Sequence, residues 1–492
     1  MKQGPGPAIP LIPAPGSERV PLVVDLDRAL LRGDMLAEGV FALARINPLN
    51  IVRMIGWRLR GAEYFRQKVA EAADADMAAL PVNQDVAAFV AGRKSDGQRI
   101  VLITSVNAGD MRRQLVRFPF ADEMIGRDRG GDLHGEEKAK LLRRLFPRGF
   151  DYAGGSASDT KVWQAAREMI LVEPSSSVAR TAQKAKAADV YFPRASRWKV
   201  LAKALRLHQW AKNSLVFPPL ILSGMVGQMQ AWTAAMLAFV GLGLTASATY
   251  IINDLIDLPH DRKHRSKFNR PLASGRLPLL HGAAVAGGAL AGGLTRAGVA
   301  GPAVAGCILG YVALTLMYST WLKRVPFLDT LTLASLFTLR LVIGMVAVAA
   351  PPSSWLLTFS MFLFLSLSLA KRFAELISID GSRQTVIAGR GYHASDGPIV
   401  GAFGVASAIA SIVMFLLYLH NEADVLRTFT ATDLLWVFPA ILFLWLARIW
   451  LLCSRGEMED DPVAFSVRDR VSLWLGTVSI CLFTIAITGS IR

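Results

Sequence analysis

The densest chemistry in this chain lies in nine residues, Asn253-Asp254-Leu-Ile-Asp257-Leu-Pro-His-Asp261. From Ser214 to Asn253 no Asp, Glu, Lys or Arg occurs. Carboxylates at the end of such an apolar run are costly unless they bind something. At helical spacing Asn253, Asp257 and Asp261 fall near one face, with Asp254 beside them. Oxygen donors of this kind suit Mg²⁺, which commonly also binds substrate phosphates. Pro259 removes one helix hydrogen bond inside the run, so partial unwinding is expected there. The pattern points to an enzyme handling a phosphorylated substrate at a membrane surface.

The elements that must position these residues are membrane helices. The chain has 492 residues, 52% of them apolar, and a mean hydropathy of +0.37. The excess is uneven: residues 1–200 read as soluble, and residues 213–492 are dominated by long apolar runs. Nine segments are candidate spans by length and charge: 214–228, 231–252, 278–295, 299–320, 328–349, 354–370, 398–419, 434–453 and 471–490. With residues 1–200 in the cytoplasm, the cytoplasmic loops hold sixteen Lys and Arg, and the opposite loops hold only Arg296 and Arg427. That asymmetry is the positive-inside pattern, and it puts Asp254, Asp257 and Asp261 on the cytoplasmic side. It also accounts for the net charge of +16 without nucleic acid, for which no motif occurs. Arg340 lies inside the fifth span, where it needs a polar cavity, an anionic ligand or a structural partner. The three cysteines all sit in apolar runs and read as packing residues, with no disulfide or zinc pattern.

The soluble part reads as α/β. PLVVDLD (21–27) and RIVLITS (99–105) are β-rich runs ending in polar residues, and FDYAGGSASD (150–159) is a strand running into a Gly-rich turn. Residues 30–97 look helical, and GEEKAKLLRRLF (135–146) is an amphipathic helix. The first twenty residues are rich in Pro and Gly without an apolar core, so disorder is expected there rather than a signal peptide or a span. The expected domains are 21–195 and 196–492.

From about residue 200 the chain resembles the UbiA-type intramembrane prenyltransferase superfamily, and within it most the decaprenylphosphoryl-5-phosphoribose synthase sub-family. The matching segments are Arg206-Leu-His-Gln209-Trp210-Ala-Lys212-Asn213; the acid run with His264, Lys267, Arg270 and Pro271; Tyr318-xxx-Leu322-Lys323 with Asp329; Lys371-Arg372-Phe-Ala-Glu375-Leu376; and Asp460-Asp461-Pro462-Val463 with Asp469-Arg470. The resemblance implies an all-α polytopic domain of about nine transmembrane helices in a bacterial inner membrane. It further implies phosphoribosyl transfer from phosphoribosyl diphosphate to polyprenyl phosphate, with membrane lipids around the apolar tail. Asn253, Asp254, Asp257 and Asp261 would hold Mg²⁺ on the diphosphate. Lys267, Arg270, Lys323, Arg340, Lys371 and Arg372 would bind substrate, chiefly its phosphates, and Lys212 and Asn213 would meet the lipid phosphate or the pocket rim. Aromatic prenyltransferases of the superfamily, such as those acting on 4-hydroxybenzoate with a prenyl diphosphate, carry acid clusters at both motifs. Here the second reads Lys371-Arg372-xx-Glu375, which suits two phosphate-bearing substrates better. Lys267 and Arg270 also read as topology determinants, and Lys371-Arg372 as a snorkelling pair. A transporter fits less well, because its site would lie near the bilayer midplane.

The first half resembles the haloacid dehalogenase superfamily, a Rossmann-like fold with a helical cap. Its mark is Asp25-Leu26-Asp27 after the first strand. The resemblance makes Asp25 a nucleophile and Asp27 an acid/base, Thr104 a phosphate ligand, Lys138 the neutralising cation, and Asp159 a partner of Asp25 and Asp27 around Mg²⁺. The insert at 30–97 would be the cap. Gly155 stands where a metal-binding Asp is usual, and Ala29 where a Thr often helps the acid/base, so both an active phosphatase and a degenerate module stay open. An active one would remove the 5-phosphate from the phosphoribosyl lipid made next door.

Overall fold

The computed structural model describes residues 19–47, 49–73, 80–107, 116–127, 135–185, 187–264, 267–380, 387, 390–421, 431–458, 462–466 and 469–488. The expected disorder at the N-terminus and the pair Asp460-Asp461 lie outside these. The chain forms two compact units, Met1–Ala204 with Asp254–Ala284, and Leu205–Asn253 with Val285–Arg492.

In the first unit β-branched and aliphatic runs pair into a six-stranded sheet. The strands are β1 (Leu22–Asp25), β2 (Ile100–Asn107), β3 (Glu123–Arg127), β4 (Asp151–Gly154), β5 (Met169–Val172) and β6 (Val190–Phe192). All pairings are parallel, in the order β3-β2-β1-β4-β5-β6. Successive residues serve opposite faces. Leu22, Val24, Ile100 and Leu102 pack on one side with Val86 and Val90, and Val23, Val101 and Ile103 on the other with Leu142 and Trp163. The chain winds outward in both directions from β1 and β4, and a crevice at their carboxyl ends is where such a sheet binds ligands.

Between β1 and β2 comes the expected helical insert: α1 (Met35–Ile46), α2 (Asn50–Leu59), α3 (Ala62–Ala72) and α4 (Gln84–Ser95). Leu43, Met54, Val69 and Ala73 form a small core between α1, α2 and α3. The linkers into and out of the insert are stitched together: Leu31 bridges Val82, and the Arg32 amide donates to the Pro81 carbonyl at 2.8 Å. Onto these linkers packs the segment Asp254–Ala284. Gly275 has φ +69, and a Cβ there would lie 2.6 Å from Arg32 Cβ and 2.8 Å from Pro81 Cγ, so backbone meets backbone with no room for a side chain. Nearby, Arg262 donates from both terminal nitrogens to Glu38 in the first turn of α1, at 3.1 and 2.5 Å.

The second unit is helical. Among the described residues six helices are long and apolar enough to cross a membrane: Met229–Ile256, Pro302–Thr320, Leu328–Ala347, Ser354–Ser378, Ala394–Asn421 and Thr432–Ser454. The expected spans at 278–295 and 471–490 are also helices, Leu279–Ala300 and Arg470–Thr488. Six glycines and Arg296 lower the hydropathy of the former. The segment 214–228 departs from the expectation of one span. It is built from short helical pieces, Leu207–Val216, Pro218–Leu222 and Met225–Gly227, because Pro218-Pro219 interrupts the hydrogen-bond ladder. Gly344 lets Leu207–Val216 seat against the helix Leu328–Ala347: its Cβ would stand 2.2 Å from the Val216 carbonyl oxygen.

Candidate active site

The acid run does not form one helical face. The helix Met229–Ile256 ends, Asp257 takes the break as the N-cap of Leu258–Lys263, and Pro259 lies in that second helix's first turn. This is the unwinding that Pro259 suggested, and it corrects the single-face spacing. Asp254 thus lies in the last turn of one helix, where the macrodipole disfavours an anion, and Asp261 in the first turn of the next, where it favours one. The fold brings these two together at a single nitrogen: Arg270 Nη1 donates to Asp254 Oδ1 at 3.0 Å and to Asp261 Oδ2 at 2.6 Å. Both acids are buried, and the arginine is 27% exposed. Asn253 immediately precedes the pair, Asp257 is half-buried at the break, and Lys267 is exposed in the following loop. Among the described residues no three His, Cys, Asp or Glu side chains close on one point. Mg²⁺ keeps several waters and is commonly held by one or two carboxylates plus substrate phosphate, so the oxygen-only donor pair fits it.

In the second unit the residues singled out from the sequence form two groups. Arg340 is buried within its helix, and each of its three nitrogens donates to a neutral acceptor. Nε donates to Asn213 Oδ1 at 3.1 Å, Nη1 to the Leu336 carbonyl at 2.5 Å and Nη2 to the Tyr311 hydroxyl at 3.0 Å. No carboxylate pairs with it among the described residues. Its guanidinium stands 4.9 Å from the centre of the Phe337 ring, and Lys212 Nζ stands 5.7 Å from the same ring. Phe337 stacks on Phe364 at 4.5 Å, and Phe364 lines an apolar cavity of about 210 Å³ with Leu215, Leu341, Phe359, Phe415 and Phe483. A cationic head thus stands beside an apolar chamber.

The other group centres on Asp329, fully buried in the first turn of Leu328–Ala347. Arg372 Nε donates to Asp329 Oδ2 at 2.7 Å, and its Nη1 to Glu375 Oε2 at 2.5 Å. Arg390 reaches Asp329 at 3.4 Å and Tyr392 donates its hydroxyl at 2.7 Å. Burial, and then the bond to Asp329, raises the Tyr392 phenol above its ordinary range. Arg372 is 1% exposed, so the snorkelling reading fails for it. Lys371 and Lys323 are half-buried. Sequence reasoning noted Asp329 but gave it no role and passed over Arg390 and Tyr392; the available signal was an acid in the first turn of a span.

The N-terminal residues converge at the carboxyl ends of β1 and β4. Lys138 Nζ donates to Asp25 Oδ2 at 2.7 Å and to Asp159 Oδ1 at 3.3 Å. The Tyr152 hydroxyl, which the sequence did not flag, lies 2.9 Å from Asp159 Oδ1, 3.2 Å from Asp25 Oδ2 and 3.0 Å from Lys138 Nζ. Thr104 donates to Asp27 at 3.0 and 3.1 Å, so it steadies the second acid where Ala29 cannot. Burial lowers the Lys138 ammonium, yet Asp25 and Asp159 together outweigh it and hold the amine above its usual range. Burial also raises the Asp25 carboxyl against the pull of Lys138. Tyr152 is pushed well up by burial and both acids. The carboxylates of Asp25, Asp27 and Asp159 are hard oxygen donors of the kind Mg²⁺ takes.

Six helices long and apolar enough to cross a membrane mark a polytopic membrane protein. Residues 216–476 match the UbiA prenyltransferase family, and the chain belongs to that family. Its members are integral membrane enzymes. The uncharacterized protein y4nM of Sinorhizobium fredii is 35% identical over 473 residues, 95% of this chain and 91% of that one. Nodulation protein NoeC of Azorhizobium caulinodans is 31% identical over 276 residues, 55% of this chain and 88% of its own. A decaprenyl-phosphate phosphoribosyltransferase of Mycolicibacterium smegmatis is 29% identical over 295 residues, 58% of this chain and 92% of its own.

Proposed function

We propose that this transferase moves 5-phosphoribose from phosphoribosyl diphosphate to polyprenyl phosphate at the cytoplasmic face of a bacterial inner membrane, within a polytopic helical domain. The observation that carries the reading is the meeting of Asp254 and Asp261 at Arg270. Buried carboxylates beside a part-exposed guanidinium suit a metal-bound diphosphate: the acids, with Asn253 and Asp257, hold Mg²⁺, and Arg270 and Lys267 bind phosphate oxygens. Mg²⁺ held by these residues would supply charge neutralisation for the diphosphate leaving group. A phosphate oxygen of the lipid forms the new bond to the anomeric carbon as the bond to diphosphate breaks. That oxygen is already anionic, so no general base is needed, and positioning with charge neutralisation supplies the catalysis. Lys212 and Arg340 favour a phosphate head whose apolar chain occupies the cavity beyond Phe364.

The sheet unit, on this reading, is a haloacid dehalogenase-like phosphatase capped by its helical insert. Asp25 attacks phosphorus, Asp27 protonates the leaving oxygen, and Lys138 neutralises the transferring group. Asp25, Asp27 and Asp159 hold Mg²⁺. Its substrate is the 5-phosphate of the lipid product, delivered at the high local concentration that fusion provides.

A second reading, transfer of a prenyl group from its diphosphate to an aromatic ring, is favoured by Asp329 and Glu375 meeting at Arg372 as a second acid site. One experiment separates them. Purified full-length protein with Mg²⁺, polyprenyl phosphate and radiolabelled phosphoribosyl diphosphate should put label into the organic phase, and Asp254→Ala should abolish it. A later shift of that label to a less charged lipid reports the phosphatase. No label, with transfer from a prenyl diphosphate to an aromatic acid, establishes the second reading instead.

A further inference from the structure

Residues 39–62 contain Arg45, Arg53, Arg58 and Arg60 and no Asp or Glu. Within them α2 buries only Met54, against Leu43, Val69 and Ala73. The opposite side is apolar and open: Val52 is 68% exposed and Leu59 84%, with Ile51 and Ile55 beside them, and Ile46 and Leu49 exposed just before. At about 100° per residue, Ile51, Ile55, Leu59 and Val52 form one stripe covering about 100° of the helix surface. Arg58 borders it on one edge, and Arg60 and Arg53 lie about 80° and 100° beyond the other, on the far side of the helix. Arg53 and Arg58 form no ion pair among the described residues.

A soluble surface seldom exposes six large aliphatic side chains in fourteen residues, and such a patch marks a docking face. The charge pattern selects the occupant. A protein partner's hot spot would draw on aromatic anchors, and the stripe offers only aliphatics. An aliphatic stripe on a helix whose only charges are arginines, one of them at the stripe's edge, is the pattern of a helix lying in a membrane interface, its apolar face in the acyl boundary and its cations toward the headgroups and water. The chain is itself a membrane protein, so a bilayer is always at hand, and an acid-free basic stretch complements the anionic lipids of a cytoplasmic leaflet. We infer that α2 is a monotopic anchor that rests the helical insert of the N-terminal unit on the lipid surface. This goes beyond the transferase and phosphatase assignments and stands if either fails.

The test uses full-length protein in nanodiscs containing anionic lipid, with Cys307, Cys453 and Cys481 replaced. Fluorescent labels are placed through Val52→Cys and Leu59→Cys, and through Glu63→Cys on the exposed side of α3 as control. Both α2 labels should be quenched by lipids carrying a nitroxide near the headgroup and should lose quenching by aqueous iodide, while the control behaves the opposite way. Iodide quenching of α2 equal to the control overturns the inference. So does shielding from both quenchers, which would mean a second copy or another protein covers the stripe. Unlabelled wild-type protein gives an independent reading: trypsin cleavage at Arg53 and Arg58 should be slow in anionic nanodiscs and faster in neutral ones. Equal cleavage in both removes the electrostatic part of the argument and overturns the proposal.

Discussion

An arginine closes the acid site of the membrane unit, and its removal should tell support from substrate binding. Arg372 is buried between Asp329 and Glu375, so Arg372→Met leaves the buried Asp329 with only the longer 3.4 Å contact to Arg390 and the Tyr392 hydroxyl. Breaking a buried pair by removing one partner costs about 3–5 kcal/mol. The expected result is a marked fall in unfolding temperature in detergent; a raised KM for substrate at unchanged stability would make Arg372 a phosphate ligand instead. In the N-terminal site the sign of a pH effect follows from Asp25. Its carboxyl is raised by burial and held down in part by Lys138. The nucleophile is the ionised form, so phosphate release should fall with decreasing pH through a value above the ordinary aspartate range. Lys138→Met removes the opposing attraction and should move that acid limb higher still, as a pH–rate profile of phosphate release by the full chain would read directly. Asp25, Asp27, Thr104, Lys138 and Asp159 were singled out by the resemblance to the haloacid dehalogenase superfamily, and the fold brings them together. Tyr152 was not, because a tyrosine inside a strand looks like packing until the fold turns its hydroxyl toward two acids.

Among the elements, the strands with β-branched runs and the long uncharged helices were legible because burial in a parallel sheet or in lipid leaves a continuous apolar signal. The short β3, Glu123–Arg127, carries too few apolar residues to announce itself. The first expected span failed for the converse reason: it has the hydropathy of a helix but Pro218-Pro219 breaks it. The meeting of Asp254 with Asp261 needs a turn that spacing alone cannot supply, although Pro259 foretold the break. The loop that makes this turn is braced by Gly275 against Arg32 and Pro81, and by Arg262 on Glu38. Gly275→Val adds a side chain at φ +69 where no space exists, and should lower kcat for label transfer by displacing Asp261 and Arg270. Glu38→Arg and Arg262→Glu should each impair transfer, and the double exchange should restore part of it; equal losses in all three would mean the ion pair does not position the loop.

At the scale of the whole molecule, the loop Asp254–Ala284 is encoded between two membrane helices yet folds into the same compact unit as the sheet. Its supports are the linkers of the insert and the first turn of α1, residues separated from it by more than half of the sheet domain's sequence. A membrane half from one relative joined to a sheet half from another would set Gly275 and Arg262 against an unmatched wall. The fusion is then more than a tether: in this chain the two stretches of sequence are fitted to one another, and substitutions at Arg32, Pro81 or Glu38 should be tolerated only alongside changes in a loop some two hundred residues away.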